Sequence, residues 1–313
     1  MSDTLKQKIS VIYIIGAGKS GSTVLDTILG NHPEIESVGE LARLPQNAWI
    51  NGEYCSCGQP GNTCPFWTEV MHEWTKIVGG EEINALIKAQ SYYEGHLGLY
   101  RLKRDRTSRN QRLSNYISYT HAIFKAIRTV SGCHFIVDSS KIPSRAYSLS
   151  LIPDIDLYLI HMVRDIRGVS WSLGKSFKKN VEKGIEKDKK GFPKWRSSIT
   201  WIVQNSLSEI VIHQLPNNKS IIVRYEDLMN DSHKELDRIG NLTGIDFQYM
   251  IDLISTQKPL LFGHTIAGNR LRMNEHLFLR FDEDWKNFEV SVFDHLIFKF
   301  VAGNLMQKYK YNL

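Results

Sequence analysis

The run Val11-Ile-Tyr-Ile-Ile15, followed at once by Gly16-Ala-Gly18-Lys19-Ser20-Gly21-Ser22-Thr23, decides the fold. Five consecutive apolar residues, mostly β-branched, predict a strand buried on both faces of a parallel sheet. The octet after it is a tight turn. Val24, Leu25, Ile28 and Leu29 then recur at helical spacing until Gly30-Asn-His-Pro33 stops the helix. Strand, tight loop and helix in this order suit phosphate, because the first N–H groups of a helix lack intrahelical partners and its dipole favours an anion. Gly18 and Gly21 are expected to take backbone angles closed to other residues and to let a phosphate approach, while Lys19 supplies a mobile point charge. A plain turn would need neither Lys19 nor three hydroxyl residues. The ATPase pattern G-x-x-x-x-G-K-[ST] fails, since its first glycine would fall on Tyr13.

Working outward, His134–Val137, Leu157–Val163 and Ser220–Val223 read as further core strands. Each runs into a polar cluster: Asp138-Ser-Ser-Lys141, Arg164-Asp-Ile-Arg167 and Arg224-Tyr-Glu-Asp-Leu228. Leu113–Val130 and Ile199–His213 read as helices, the second with Ile199, Ile202, Val203, Ser206, Leu207, Ile210 and Val211 on one side. Residues from Glu34 to about Gly80 look irregular, Glu81–Arg109 looks partly helical, and the tail from Phe288 looks helical. Alternating strands and helices predict an α/β fold with a mostly parallel central sheet flanked by helices. One domain, 1–313, accommodates insertions at 45–110 and a flexible basic flap at 175–195. Ligands of such sheets bind beyond the carboxyl ends of the strands, where the polar clusters fall.

The 39 Lys and Arg outnumber 33 Asp and Glu, giving a net charge of +6 that favours anionic ligands without choosing among them. No apolar run approaches the roughly 20 residues of a membrane span, and the polar start of the chain lacks a signal-peptide core. The expectation is a cytoplasmic protein without stable membrane insertion. Lys175–Lys194 holds eight lysines mixed with Glu182, Glu186 and Asp188, the mark of a solvated flap rather than a nucleic-acid patch. Cys55, Cys57 and Cys64 cluster while Cys133 stands alone. Their C-x-C-x₆-C spacing lacks an obvious fourth ligand, with His72 and Cys133 as candidates, so free thiols are favoured over a disulfide or zinc.

Gly18-Lys-Ser-Gly-Ser-Thr23 after a strand resembles the 5′-phosphosulfate loop of sulfotransferases that use 3′-phosphoadenosine 5′-phosphosulfate (PAPS). Asn31-His-Pro33 with Gly39-Glu40 is similar to the branch that includes protein-tyrosine sulfotransferases and many bacterial members. The resemblance implies that Lys19 meets the bridging oxygen or the transferring sulfonate, and that Ser20, Gly21, Ser22 and Thr23 hold the 5′-phosphate. It implies that Arg164 and Ser172 grip the 3′-phosphate, a guanidinium being suited to two parallel bonds. Gly268-Asn269-Arg270-Leu-Arg272 resembles the family's loop over that phosphate, with either arginine making the contact. Glu283-Asp-Trp285 and Tyr309-Lys-Tyr311 are similar to segments of bacterial members. Catalysis would rest on Lys19, on Lys141 as a second cation beside Ser139, and on Glu40 as the base for a hydroxyl acceptor, with a histidine among His32, His121, His134 and His161 as the alternative base. Asp165 and Arg167 suit a local ion pair. The expected partners are the nucleotide donor, its product 3′-phosphoadenosine 5′-phosphate (PAP), and a glycan or small-molecule acceptor, with no metal and no nucleic acid. The oligomeric state stays open. Two rivals remain: a phosphotransferase, which would use ATP with magnesium, and a nucleotide-binding module, which would hold the product without transfer.

Overall fold

The computed structural model describes residues 8–80, 82–108, 110–287 and 291–312. Met1–Gln7, Glu81, Arg109, Phe288–Val290 and Leu313, on which parts of the readings above fall, lie outside the described residues. Five strands form one sheet: β1 (Ile9–Ile15), β2 (Ile35–Ser37), β3 (Phe135–Lys141), β4 (Ile155–Val163) and β5 (Ser220–Arg224). Their order is β2-β3-β1-β4-β5 and every pairing is parallel. The expected parallel α/β sheet is present, and each sequence-read strand is found within a few residues of its expected limits.

The helices, in chain order, are α1 (Ser22–Gly30), α2 (Pro65–Val78), α3 (Ile83–Tyr93), α4 (Gly98–Thr107), α5 (Gln111–Ser131), α6 (Pro143–Leu149) and α7 (Ile166–Gly174). Then come α8 (Lys194–Ile212), α9 (Tyr225–Asn230), α10 (Ser232–Thr243), α11 (Gln248–Ser255), α12 (Val292–Phe300) and α13 (Gly303–Lys308). They cover both faces of the sheet, which explains the unbroken apolar run of β1. Val11, Tyr13 and Ile15 enter a core with Trp67 and Trp74 of α2 and Ile123 and Ile127 of α5. Ile12 and Ile14 enter a second core with Leu25 and Ile28 of α1 and Leu236 and Ile239 of α10.

Two expectations are corrected. The segment read as irregular contains α2, started by Pro65 in its first turn and ended by Gly79 at φ 80°. Those are ordinary helix boundaries, and Trp67, Val70 and Trp74 bury one side. On α8 the buried face is Ser197, Ser198, Trp201, Asn205, Ser208 and Val211, while Ile199, Val203 and Ile210 are exposed. Polar side chains won that face because they have partners: the Trp201 indole donates to the Arg164 carbonyl at 2.9 Å, and Asn205 Oδ1 lies 3.0 Å from His161 Nε2. The basic segment at 175–195 carries isolated backbone pairing at Phe177–Lys189 and Asn180–Ile185. Among the described residues no helix is long and apolar enough to cross a membrane.

Beneath the end of β3 lies a buried ionic network. Arg145 of α6 is fully buried; its Nε meets Asp138 at 3.0 Å and its Nη1 meets Glu94 at 2.9 Å. Tyr116 donates to Glu94 at 2.7 Å, and the Ser140 hydroxyl and backbone N–H both donate to Asp138. The network fixes the turn from which Ser139 and Lys141 emerge.

Candidate active site

The chain leaves β1 through a loop whose geometry restricts its residues. At Gly16, φ is 127° and an added Cβ would lie 2.4 Å from the Met162 carbonyl oxygen. At Gly21, φ is 94° and a Cβ would lie 2.4 Å from the Tyr225 ring. Only glycine fits either place. Gly18 differs from expectation, for it has no left-handed angle. A Cβ there would meet no protein atom within 4 Å, so a side chain would obstruct the cleft rather than the fold. The left-handed residue beside it is Lys19, at φ 70°. Lys141 shares that rarely populated conformation at φ 64°. α1 begins with Gly21 as its cap and no side chain capping it. The Ser20 hydroxyl is buried and has no hydrogen-bond partner among the described residues. Free helix-end N–H groups and an unpaired buried hydroxyl are what an anion would satisfy.

Above the carboxyl ends of the strands is a cleft of about 490 Å³. The loop contributes Gly18, Lys19, Gly21, Ser22 and Thr23; Glu40 follows β2, Lys141 ends β3, Arg164 follows β4 with Ser172 on α7, and Tyr225 follows β5. Gly268 and Asn269 close one side. Eleven of the proposed site residues thus share one cleft. Ser20 lies just under its wall. Arg270 and Arg272 do not line it: the Arg270 guanidinium stacks 4.5 Å from the Phe177 ring centre, and buried Arg272 bonds Glu53 at 3.1 Å and the Tyr54 carbonyl at 3.2 Å.

Glu40 is positioned by backbone rather than by its own helix. Gly39, at φ 69°, is wedged between β3 and the segment at Ile266, with Ser139 N–H donating to the Gly39 carbonyl at 2.8 Å. Glu40 N–H donates to the Ile266 carbonyl at 2.9 Å. The Lys141 ammonium donates to Glu40 Oε1 at 2.8 Å and to the Ser139 carbonyl at 2.6 Å. Burial by itself would raise Glu40, but the Lys141 charge and hydrogen bond hold it below the usual carboxylate range. Lys19 is pushed down to about 8, first by burial and then by the like charges of Lys189 and Lys141.

Arg164 Nη1 donates to the Lys19 carbonyl at 3.4 Å, its Nη2 meets Asp282 at 3.2 Å, and the guanidinium lies 4.4 Å from the Tyr225 ring centre. Its Nε has no hydrogen-bond partner among the described residues. Arg167 and Asp165 form the expected local pair at 2.6 Å. No histidine lines the cleft among the described residues; His161 is buried against Asn205, and His32 meets the Asp246 carbonyl. Sequence reasoning missed Asp282, Tyr225 and Lys189, the last on the cleft's rim. It also missed His264, which joins Cys55, Cys57 and Cys64. His72 instead sits on α2 beside Glu69 and Glu73.

Fold and cleft define an α/β protein with parallel strands covered on both faces and an anion-ready site at their carboxyl ends. A family model described as "Sulfotransferase family" matches residues 11–249, so the chain belongs to the sulfotransferase family. Among solved structures it is similar to the sulfotransferase domain from the Synechococcus PCC 7002 olefin synthase, at 17% identity and TM-score 0.51, covering 100% of this chain and 98% of that one. It is also similar to the sulfotransferase domain from the curacin biosynthetic pathway, at 16% identity and TM-score 0.50, covering 97% and 98%. At such identities the likeness is one of fold, and none of these matches singles out the tyrosine-sulfating branch. No curated protein matches the sequence.

Proposed function

We propose that the protein transfers the sulfonate of PAPS to a hydroxyl acceptor. One observation carries the reading: Lys19, the paired Lys141 and Glu40, Arg164 and Ser172 all line one cleft. The loop and α1 N-terminus suit the 5′-phosphate, Arg164 and Ser172 the 3′-phosphate, and Val24, Met229, Leu277 and Leu279 offer an apolar wall for the base. In the transfer the bond from sulfur to the 5′-phosphate oxygen breaks and a bond from sulfur to the acceptor oxygen forms. The acceptor proton passes to Glu40, and PAP leaves with the added negative charge. Lys19 and Lys141 stabilise that developing charge. A Lys141 ammonium drawn toward the sulfonate would leave burial opposed only by the more weakly acting charges of Arg43 and Lys19, raising the basicity of Glu40 as the acceptor arrives. Glu40 as base gains support from the lack of any histidine along the cleft among the described residues.

Calorimetry tests the donor assignment. PAP should bind clearly, with ATP and adenosine 5′-phosphosulfate much weaker. Arg164→Ala should cost PAP about 10²-fold in affinity, since two charge-assisted bonds are lost. Equal affinity with and without the 3′-phosphate would sink the proposal.

The lowered Lys19 gives a second expectation. An anionic donor beside Lys19 raises its pKa, so above pH 8 binding must take up a proton and donor affinity should fall. Below pH 8 the ammonium is already charged and the dependence should flatten. Titrations in two buffers of different ionisation enthalpy would read the proton uptake directly, and Lys19→Met should abolish it.

A further inference from the structure

We infer that Cys55, Cys57, Cys64 and His264 form a structural zinc site that pins the 52–65 segment to the loop roofing the cleft. Their three sulfurs and one ring nitrogen all lie within 4.8 Å of one another. Cys57 Sγ is 3.6 Å from Cys64 Sγ, and His264 Nδ1 is 3.4 Å from Cys64 Sγ and 3.8 Å from Cys55 Sγ. Four ligands held tetrahedrally by one Zn²⁺ would stand about 3.8 Å apart for two sulfurs and about 3.5 Å for sulfur and nitrogen, from Zn–S of about 2.3 Å and Zn–N of about 2.0 Å. Those three spacings lie close to the ideal values, and the remaining pairs fall inside 4.8 Å.

The surroundings support a metal as well. The His264 ring stacks on Phe66 with centroids 5.0 Å apart, and the Trp67 indole donates to the His264 carbonyl at 2.7 Å. Ser56 ties the same two segments through bonds to Gly263 and Thr265. Four protein ligands fill the coordination shell, which is the structural rather than the catalytic arrangement. Binding would release three thiol protons and leave the centre with a net charge of −1, the imidazole staying neutral. A disulfide, by contrast, would strand one of the three thiols. Two residues beyond His264, Ile266 holds the Glu40 backbone, so the site braces the roof of the cleft while taking no part in sulfonate chemistry.

The test is metal content of tag-free protein purified without chelator, read by mass spectrometry, followed by Co²⁺ addition to reduced, metal-stripped protein. One zinc per chain and the absorption of tetrahedral cobalt–thiolate are expected. Cys57→Ser, at an exposed position, and His264→Ala should each lose the metal, whereas His264→Cys should keep it. Wild type with no metal and no cobalt uptake would overturn the inference, as would an intact mass showing a Cys57–Cys64 disulfide. Metal is counted without donor or acceptor, so this result is independent of the sulfonate-transfer reading.

Discussion

Glu40→Gln is expected to lower acceptor turnover by about 10²–10⁴-fold while leaving donor affinity near that of the wild type, the usual worth of a positioned base. Glutamine keeps the size of the side chain and an oxygen that can still accept from Lys141, but it cannot take the acceptor's proton. Lys19→Ala should behave otherwise: a cation disappears from the donor end, so affinity and turnover fall together. Lys141→Met supplies the third contrast. Without the ammonium, burial is opposed only by the smaller effects of Arg43 and Lys19, so the Glu40 pKa rises. The acid limb of kcat/KM against pH should then move to higher pH. Steady-state kinetics across pH on these proteins decides the matter once an acceptor is found by incubating extracts with labelled donor. An unchanged turnover number in Glu40→Gln would return Glu40 to a structural role.

Arg145→Ala should destabilise the fold by about 3–5 kcal/mol, because it leaves Asp138 and Glu94 buried without their shared counter-charge. Burial already holds Glu94 above the usual carboxylate range even with Arg145 beside it. In the variant that elevation grows. A carboxyl with a folded pKa above its unfolded one costs stability as pH rises and returns it as pH falls. The loss should therefore be largest near pH 8 and smaller near pH 5. Urea midpoints at the two pH values would measure it, and a midpoint unmoved at pH 8 would mean that the network contributes nothing net.

What the sequence revealed follows from how local each signal is. β1, its loop and α1 declare themselves within twenty residues, since strand burial, turn geometry and helix start are all properties of neighbours in the chain. Lys141 and Arg164 were legible because parallel strands end where ligands bind. β2 is only three residues long, too short for any periodicity. Asp282 and His264 were hidden because their significance comes from Arg164 and Cys64, residues more than a hundred positions away. The buried side of α8 was misread because apolar pattern favours Ile199 and Val203, whereas partners for Trp201 and Asn205 exist only in the folded chain.

The central place of β1 also bears on how the protein is made. Ser10 pairs with Phe135 and Ile9 with Ile155, so β1, made before either neighbour, stays without a partner until β3 has emerged. At ribosomal speed that interval is roughly 6–25 s. Throughout it a ribbon apolar at every position but Ser10 has two unpaired edges, the condition that invites association between nascent chains. The residue order that sets the anion-binding loop at the heart of the sheet thus makes the newborn chain dependent on shielding until its middle third has emerged.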